Sequence, residues 1–154
     1  MADYVLTRFE LRNYSLLRAQ IIELDNSIRE VEDELAELNQ CCMNIGSVLT
    51  GMPGGNEKRD KIGDFVIGLE KDRKRLNALL YSLNAERYTL KYEMYKIWSA
   101  VHNIPNKQLR DIIKWHFFDG KKVGEIAQEQ FMTTNAIQKR LNRFFRSGSK
   151  YRKL

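Results

Sequence analysis

Histidine, cysteine and proline are nearly absent from these 154 residues, with two of each, and every one of these shortages excludes something. His102 and His116 lie far from Cys41 and Cys42, so no His/Cys set has the spacing of a zinc site or a Cys–His nucleophile. Adjacent cysteines suit neither a loop-closing disulfide nor a chelate, and the expectation for Cys41 and Cys42 is buried or half-buried thiols in a helix. The glycines of Gly51 to Gly55 are followed by no Lys-Ser/Thr pair, which a phosphate-binding loop needs. Together these gaps argue against an enzyme, and against any cofactor, metal or small-molecule substrate. No apolar run approaches the ~18–20 residues of a membrane span, and the opening MADYVLTRFE lacks the apolar core of a secretory signal. The expectation is a soluble cytoplasmic protein with no membrane partner.

What the chain has in quantity is charge, unevenly placed. The formal net charge is +6, yet residues 1–102 carry fourteen Lys and Arg against sixteen Asp and Glu. From Asn103 to Leu154 the count is twelve against four, so the whole positive excess sits at one end. A segregated basic region that is also patterned as a compact fold points to a nucleic acid, ahead of a lipid surface.

Apolar periodicity sets the fold class as all-α. Tyr14, Leu17, Ile21, Leu24, Ile28, Val31, Leu35, Leu38, Cys42, Ile45 and Leu49 alternate by three and four, the spacing of a coiled-coil seam. Ile62, Val66, Leu69, Arg73, Leu76, Leu80, Leu83, Arg87, Leu90, Met94, Ile97 and Val101 repeat it. Between them, residues 50–60 hold one Pro and three Gly within six positions, which cannot continue a helix. Residues 1–102 therefore read as a long antiparallel helical hairpin, each arm ~50–60 Å at 1.5 Å per residue. Arg73 and Arg87, set into the apolar stripe, need carboxylates across the seam, and folding about residue 55 brings the Glu34/Glu37 and Glu23/Asp25 regions opposite them. Tyr81, Tyr88, Tyr92, Tyr95 and Trp98 form an aromatic face that a two-helix seam leaves unused. Its candidate coverings are Tyr4, Val5, Leu6 and Phe9, the C-terminal domain, or a second copy of the chain. A platform for stacking bases is the less favoured reading, since tyrosines at helical spacing more often pack.

Pro105 in HNIPNKQ, residues 102–108, interrupts the helical pattern and marks the joint between domains 1–102 and 103–154. Three short helices are expected beyond it, at about 106–118, 122–130 and 133–146. In HFFDGKKVGEIAQEQFMTTNAIQKRLNRF, residues 116–144, Glu125-Ile126-Ala127 is followed by a tight turn, then Thr133 as a helix N-cap and Ile137 four residues later. Small Ala127 lets two helices cross closely, while Ile126, Ile137 and Leu141 fill a miniature core. If Ile137, Leu141 and Phe144 face inward, Thr134, Asn135, Gln138, Lys139 and Asn142 face outward.

This stretch resembles region 4 of the sigma-70 family and the related DNA-binding domains of response regulators and phage proteins. The resemblance implies a three-helix helix-turn-helix domain whose last helix reads double-stranded DNA. Thr134, Asn135, Gln138, Lys139 and Asn142 then become candidate base contacts: Asn and Gln can bond to the adenine edge and Lys to guanine. Lys121, Lys122, Thr133, Arg140, Arg143, Arg146 and Lys150 become candidate phosphate contacts, with Arg152 and Lys153 continuing the charge. Gln130 and Phe131 stand where that family has Leu and Gly, so Phe131 or Met132 is expected to fill the gap, in the same turn or in one shifted by a residue. Together with the acidic hairpin and its GMPGG loop, the chain resembles small phage and prophage late-gene regulators of the autolysin-regulator type over approximately residues 10–146. That implies a transcription activator in the host bacterial cytoplasm, with the hairpin used for self-association or contact with RNA polymerase. The hairpin and its extra aromatic face favour a homodimer, and nothing in the chain resembles the region by which a full sigma factor recognises and melts the −10 element. The competing reading is a protein-interaction module that binds polymerase or another regulator with little specific DNA binding.

Overall fold

A computed structural model of the chain describes residues 6–49 and 56–147, with side chains described over residues 6–44 and 63–147. Regular structure among the described residues is entirely helical: α1 (Arg8–Leu49), α2 (Asn56–His102), α3 (Lys107–Ile113), α4 (Val123–Glu129) and α5 (Thr134–Ser147). A π-helical stretch, Lys114–Phe118, continues α3. The turn residues 50–55, the side chains of Ile45, Leu49 and Ile62, and Tyr4, Val5, Lys150, Arg152 and Lys153 lie outside the described residues. α2 begins at Asn56, several residues before the expected end of the loop, because the run Asn56 to Lys61 contains no Gly or Pro to prevent it.

Two long helices pack together. Contacts divide the chain into two compact units, Ile22–Thr89 and the pair Met1–Ile21 with Leu90–Leu154. In the first unit Ile28 and Val31 of α1 are buried, with Leu24, Leu35 and Leu38 half-buried on the same stripe. Leu69, Leu76, Leu80, Leu83 and Arg87 of α2 are half-buried at the matching three- and four-residue spacing. Arg87 donates from Nη1 to Asp25 Oδ1 at 2.9 Å and from Nη2 to Asn84 Oδ1 at 2.8 Å. The pair fixes the register of the two arms, and Asn56 lies midway between its members along the chain. Arg73 behaves differently from the expectation: it is exposed, and Arg75 instead lines the same depression as Glu34 and Glu37.

Cys41 and Cys42 are both exposed, which corrects the expectation of buried thiols. Cys42 keeps the seam spacing after Leu38, but apolar contact thins toward this end of the hairpin, where Val66 is exposed as well. The aromatic residues of α2 are exposed too, from Tyr81 at 80 % to Trp98 at 41 %. Leu6 packs into the core of the second unit and Phe9 is exposed.

The second unit is built on one apolar cluster to which every helix contributes. Leu11 of α1, Ile97 and Val101 of α2, Ile104 of the α2–α3 connection, Ile112 and Ile113 of α3, Ile126 and Ala127 of α4, and Ile137 and Leu141 of α5 are buried in it. α1 enters with a reciprocal cap: the Glu10 carboxylate accepts from the Thr7 backbone N–H at 2.8 Å, and Thr7 Oγ1 accepts from the Glu10 N–H at 3.2 Å. That cap sets the phase which drives Leu11 into the core. α3 starts after Pro105 with Asn106 Oδ1 accepting from the Leu109 N–H at 3.2 Å. The π-helical stretch widens the helix where Lys114-Trp115-His116-Phe117-Phe118 must turn several large rings inward. Phe118 stacks on Tyr14 at 3.9 Å, and Phe117 meets Phe145 edge-on at 6.2 Å.

Leu11 has no exposed surface and reaches the core from the far end of the chain. Leu11→Ala should lower the unfolding free energy by about 2–5 kcal/mol in urea titration, the range for emptying a leucine-sized volume in a packed core. A loss under about 1 kcal/mol would mean that α1 is not part of this core.

Candidate nucleic-acid interface

α4 and α5 are joined by a turn whose hydrogen bonds define it. The Phe131 N–H donates to the Gln128 carbonyl at 3.3 Å and the Met132 N–H to the Ala127 carbonyl at 2.9 Å, the paired pattern that closes a helix through a left-handed residue. Phe131 is that residue, with φ of +52°, and its ring is 97 % exposed. A phenylalanine thus stands in a conformation usually left to glycine, and Met132 takes the apolar position behind it. Of the two residues expected to fill the gap, Met132 packs against the core and Phe131 does not. Thr133 Oγ1 then accepts from the Ala136 N–H at 3.2 Å, and the Thr133 carbonyl accepts from the Ile137 N–H at 3.2 Å. α5 starts from that cap.

From this start the α-helical period decides what α5 hides and what it shows. Ile137 and Leu141 are buried and Phe144 is half-buried. Thr134, Asn135, Gln138, Lys139 and Asn142 are all exposed. The five residues expected to face outward therefore share the solvent side of one helix, stacked at spacings of three and four.

The basic residues divide into two groups. Lys122, Arg143 and Arg146 are exposed and make no ion pair among the described residues. Lys121 and Arg140 are committed internally. Lys121 Nζ donates to the Glu129 carboxylate at 2.8 and 3.0 Å and lies 5.5 Å from the Trp115 ring centre. The Glu129 hydrogen bond raises the Lys121 pKa above its ordinary 10.5. Arg140 is half-buried and donates to Gln108 Oε1, tying α5 to α3. Thr133 is exposed at the cap, and Lys150 lies outside the described residues.

Residues that periodicity did not single out complete the surface. Arg8, the first residue of α1, donates from Nη2 to Asn142 Oδ1 at 2.8 Å, and its guanidinium lies 4.9 Å from the Phe145 ring centre. Nothing local in the sequence links positions so far apart. Gln108 is the other omission: its polar role becomes apparent only once α3 and α5 are adjacent.

Both histidines make local contacts. His116 Nδ1 lies 3.0 Å from the Lys121 carbonyl, and His102 stacks on Trp98 at 4.6 Å while Lys114 Nζ lies 3.2 Å from its Nδ1. Among the described residues no group of three or more His, Cys, Asp or Glu side chains could hold a metal ion, and no helix is long and apolar enough to cross a membrane. Comparison of the chain with protein families, with curated proteins and with solved structures found no match.

The strain at Phe131 is measurable. Phe131→Gly should raise stability by about 0.5–1 kcal/mol, the relief of a left-handed side chain less the added freedom of unfolded glycine. Phe131→Val should lower it by about 1 kcal/mol or more, since a β-branched residue tolerates positive φ poorly. Thermal or urea unfolding checks both, and a stabilising valine would contradict the turn geometry.

Proposed function

We propose that this protein is a sequence-specific DNA-binding transcription regulator in which α4, its turn and α5 form a helix-turn-helix and α5 is the recognition helix. The observation that carries this reading is the solvent face of α5: Thr134, Asn135, Gln138, Lys139 and Asn142 are exposed together on a helix whose opposite side is locked by Ile137 and Leu141. A helix of this kind fits the major groove, where Asn and Gln amides and Lys ammonium groups match base-edge donors and acceptors. Arg143 and Arg146 on α5 and Lys122 at the start of α4 are exposed, make no ion pair among the described residues and suit phosphates, whereas Lys121 and Arg140 support the fold. The concentration of positive charge after residue 103 supports the same polyanionic partner. The resemblance to sigma-70 region 4 and to phage late-gene regulators gives the biological form of the proposal, an activator acting in a host bacterium.

A second reading has its own support. Tyr92, Tyr95 and Trp98 of α2 are exposed, and large exposed aromatics are enriched where proteins meet. A homodimer, or a contact with RNA polymerase or another regulator, would use such a surface whether or not α5 reads DNA.

Titrating the protein into fluorescent fragments from its own genomic neighbourhood, with random duplex as competitor, separates the two. The DNA reading expects one fragment to be preferred, with three phosphate contacts giving a log–log salt slope of about −3. Gln138→Ala and Lys139→Ala should each weaken binding to the preferred fragment by about 1–3 kcal/mol and leave competitor binding nearly unchanged. Weak, indiscriminate binding that both substitutions leave intact would favour the protein-interaction reading.

A further inference from the structure

We propose that Arg8, carried by the first turn of α1, is a DNA contact of the same interface, presented on the recognition face by Asn142. The inference rests on the reading of α5 as a recognition helix. Four observations place Arg8 there. The Thr7–Glu10 cap fixes where α1 begins, with the Thr7 hydroxyl and backbone N–H both bonded to the Glu10 carboxylate, at 2.9 and 2.8 Å. Leu11, one turn along, is completely buried and anchors that beginning in the core. The guanidinium lies against the Phe145 ring at 4.9 Å, and Nη2 bonds to Asn142 Oδ1 at 2.8 Å.

The chemistry of the pair is one-sided. A guanidinium has five N–H donors and no acceptor, so the Asn142 amide must turn its oxygen to Arg8, leaving its NH2 free to donate. One Arg8 donor is spent on Asn142, and the side chain remains exposed. Arg8 and Asn142 thus form a donor-rich, positively charged unit midway along the exposed side of α5, between Gln138 and Arg146. A surface arginine ordinarily has to be immobilised when it binds, whereas this one is already stacked and bonded, which lowers the entropic cost of contact. Its counterpart is an acceptor on duplex DNA, either a phosphate oxygen or the O6/N7 edge of guanine.

The test compares wild-type protein with Arg8→Met and Arg8→Lys on the preferred duplex, at several salt concentrations and across single-base variants of the site. Arg8→Met is expected to weaken binding about 5-fold or more. For a phosphate contact it also flattens the log–log salt slope by about 0.9, while Arg8→Lys keeps the slope. For a guanine contact both variants lose discrimination at one base pair, because lysine lacks the two-pronged donor. A purely structural link between α1 and α5 would change the melting temperature but neither salt slope nor base preference. Native affinity, slope and preference in a folded Arg8→Met overturns the inference while leaving the DNA reading standing. Absence of any preferred duplex for the wild type overturns both. Should Arg8→Met not fold, the Arg8 Nε–Hε resonance of the wild-type protein carries the test: it shifts on adding duplex if Arg8 is a contact, and an unmoved signal overturns the inference.

Discussion

The burial of Ile126, Ile137 and Leu141 in one cluster with Ile112, Ile113 and the ends of α1 and α2 is the contact on which the candidate interface depends. A helix of fourteen residues such as α5 is marginal in water by itself, because the nucleation cost is recovered only when an apolar side packs. Packing that side also fixes rotation about the helix axis. Once Ile137 and Leu141 point into the core, the positions of Thr134, Asn135, Gln138, Lys139 and Asn142 follow from 3.6 residues per turn. Neither end of α5 is left to chance: Thr133 caps its start, and Phe144 and Phe145 meet edge-to-face near its end, 5.2 Å apart.

The core takes in more than three short helices. Leu11 comes from the beginning of α1, and Ile97 and Val101 come from the end of α2, so the long helices form part of the platform that carries α5. Aromatic contacts reinforce the connection through Tyr14 on Phe118 and Arg8 on Phe145. Residues separated by most of the chain therefore order the same helix. This arrangement also sorts the basic residues by task. Lys121 and Arg140 satisfy Glu129 and Gln108 within the fold, whereas Lys122, Lys139, Arg143 and Arg146 are exposed. A net charge summed over the C-terminal third overstates the cations free to meet a ligand.

Much of this was legible in the sequence because it follows from local spacing. Alternation by three and four located the stripe through Ile21, Ile28 and Val31, and the Asp25–Arg87 pair joins two of the regions set opposite each other by folding about the loop. Pro105, Thr133 and the Asp119-Gly120 turn punctuate the short helices within a few residues of their expected limits. What escaped depends on tertiary contact. Leu11 lies one step ahead of the seam identified from the pattern, and only its neighbours across the fold explain its burial. The π-helical stretch has no periodic signature, since it reflects rings competing for one interior. Phe131 breaks the usual preference for glycine at positive φ, and the bonds to Gln128 and Ala127 nevertheless hold it there. Cys42 shows the converse failure: it satisfies the pattern yet remains exposed where the seam loses its apolar depth.

On the proposed reading, α5 presents one prepared surface to duplex DNA. Backbone amide shifts in isotopically labelled protein, followed as the preferred duplex is added, test it most directly. The largest changes are expected on residues 133–143 and around Arg8, with residues 22–89 nearly unmoved. Changes centred on Tyr92, Tyr95 and Trp98, with α5 unmoved, would contradict it.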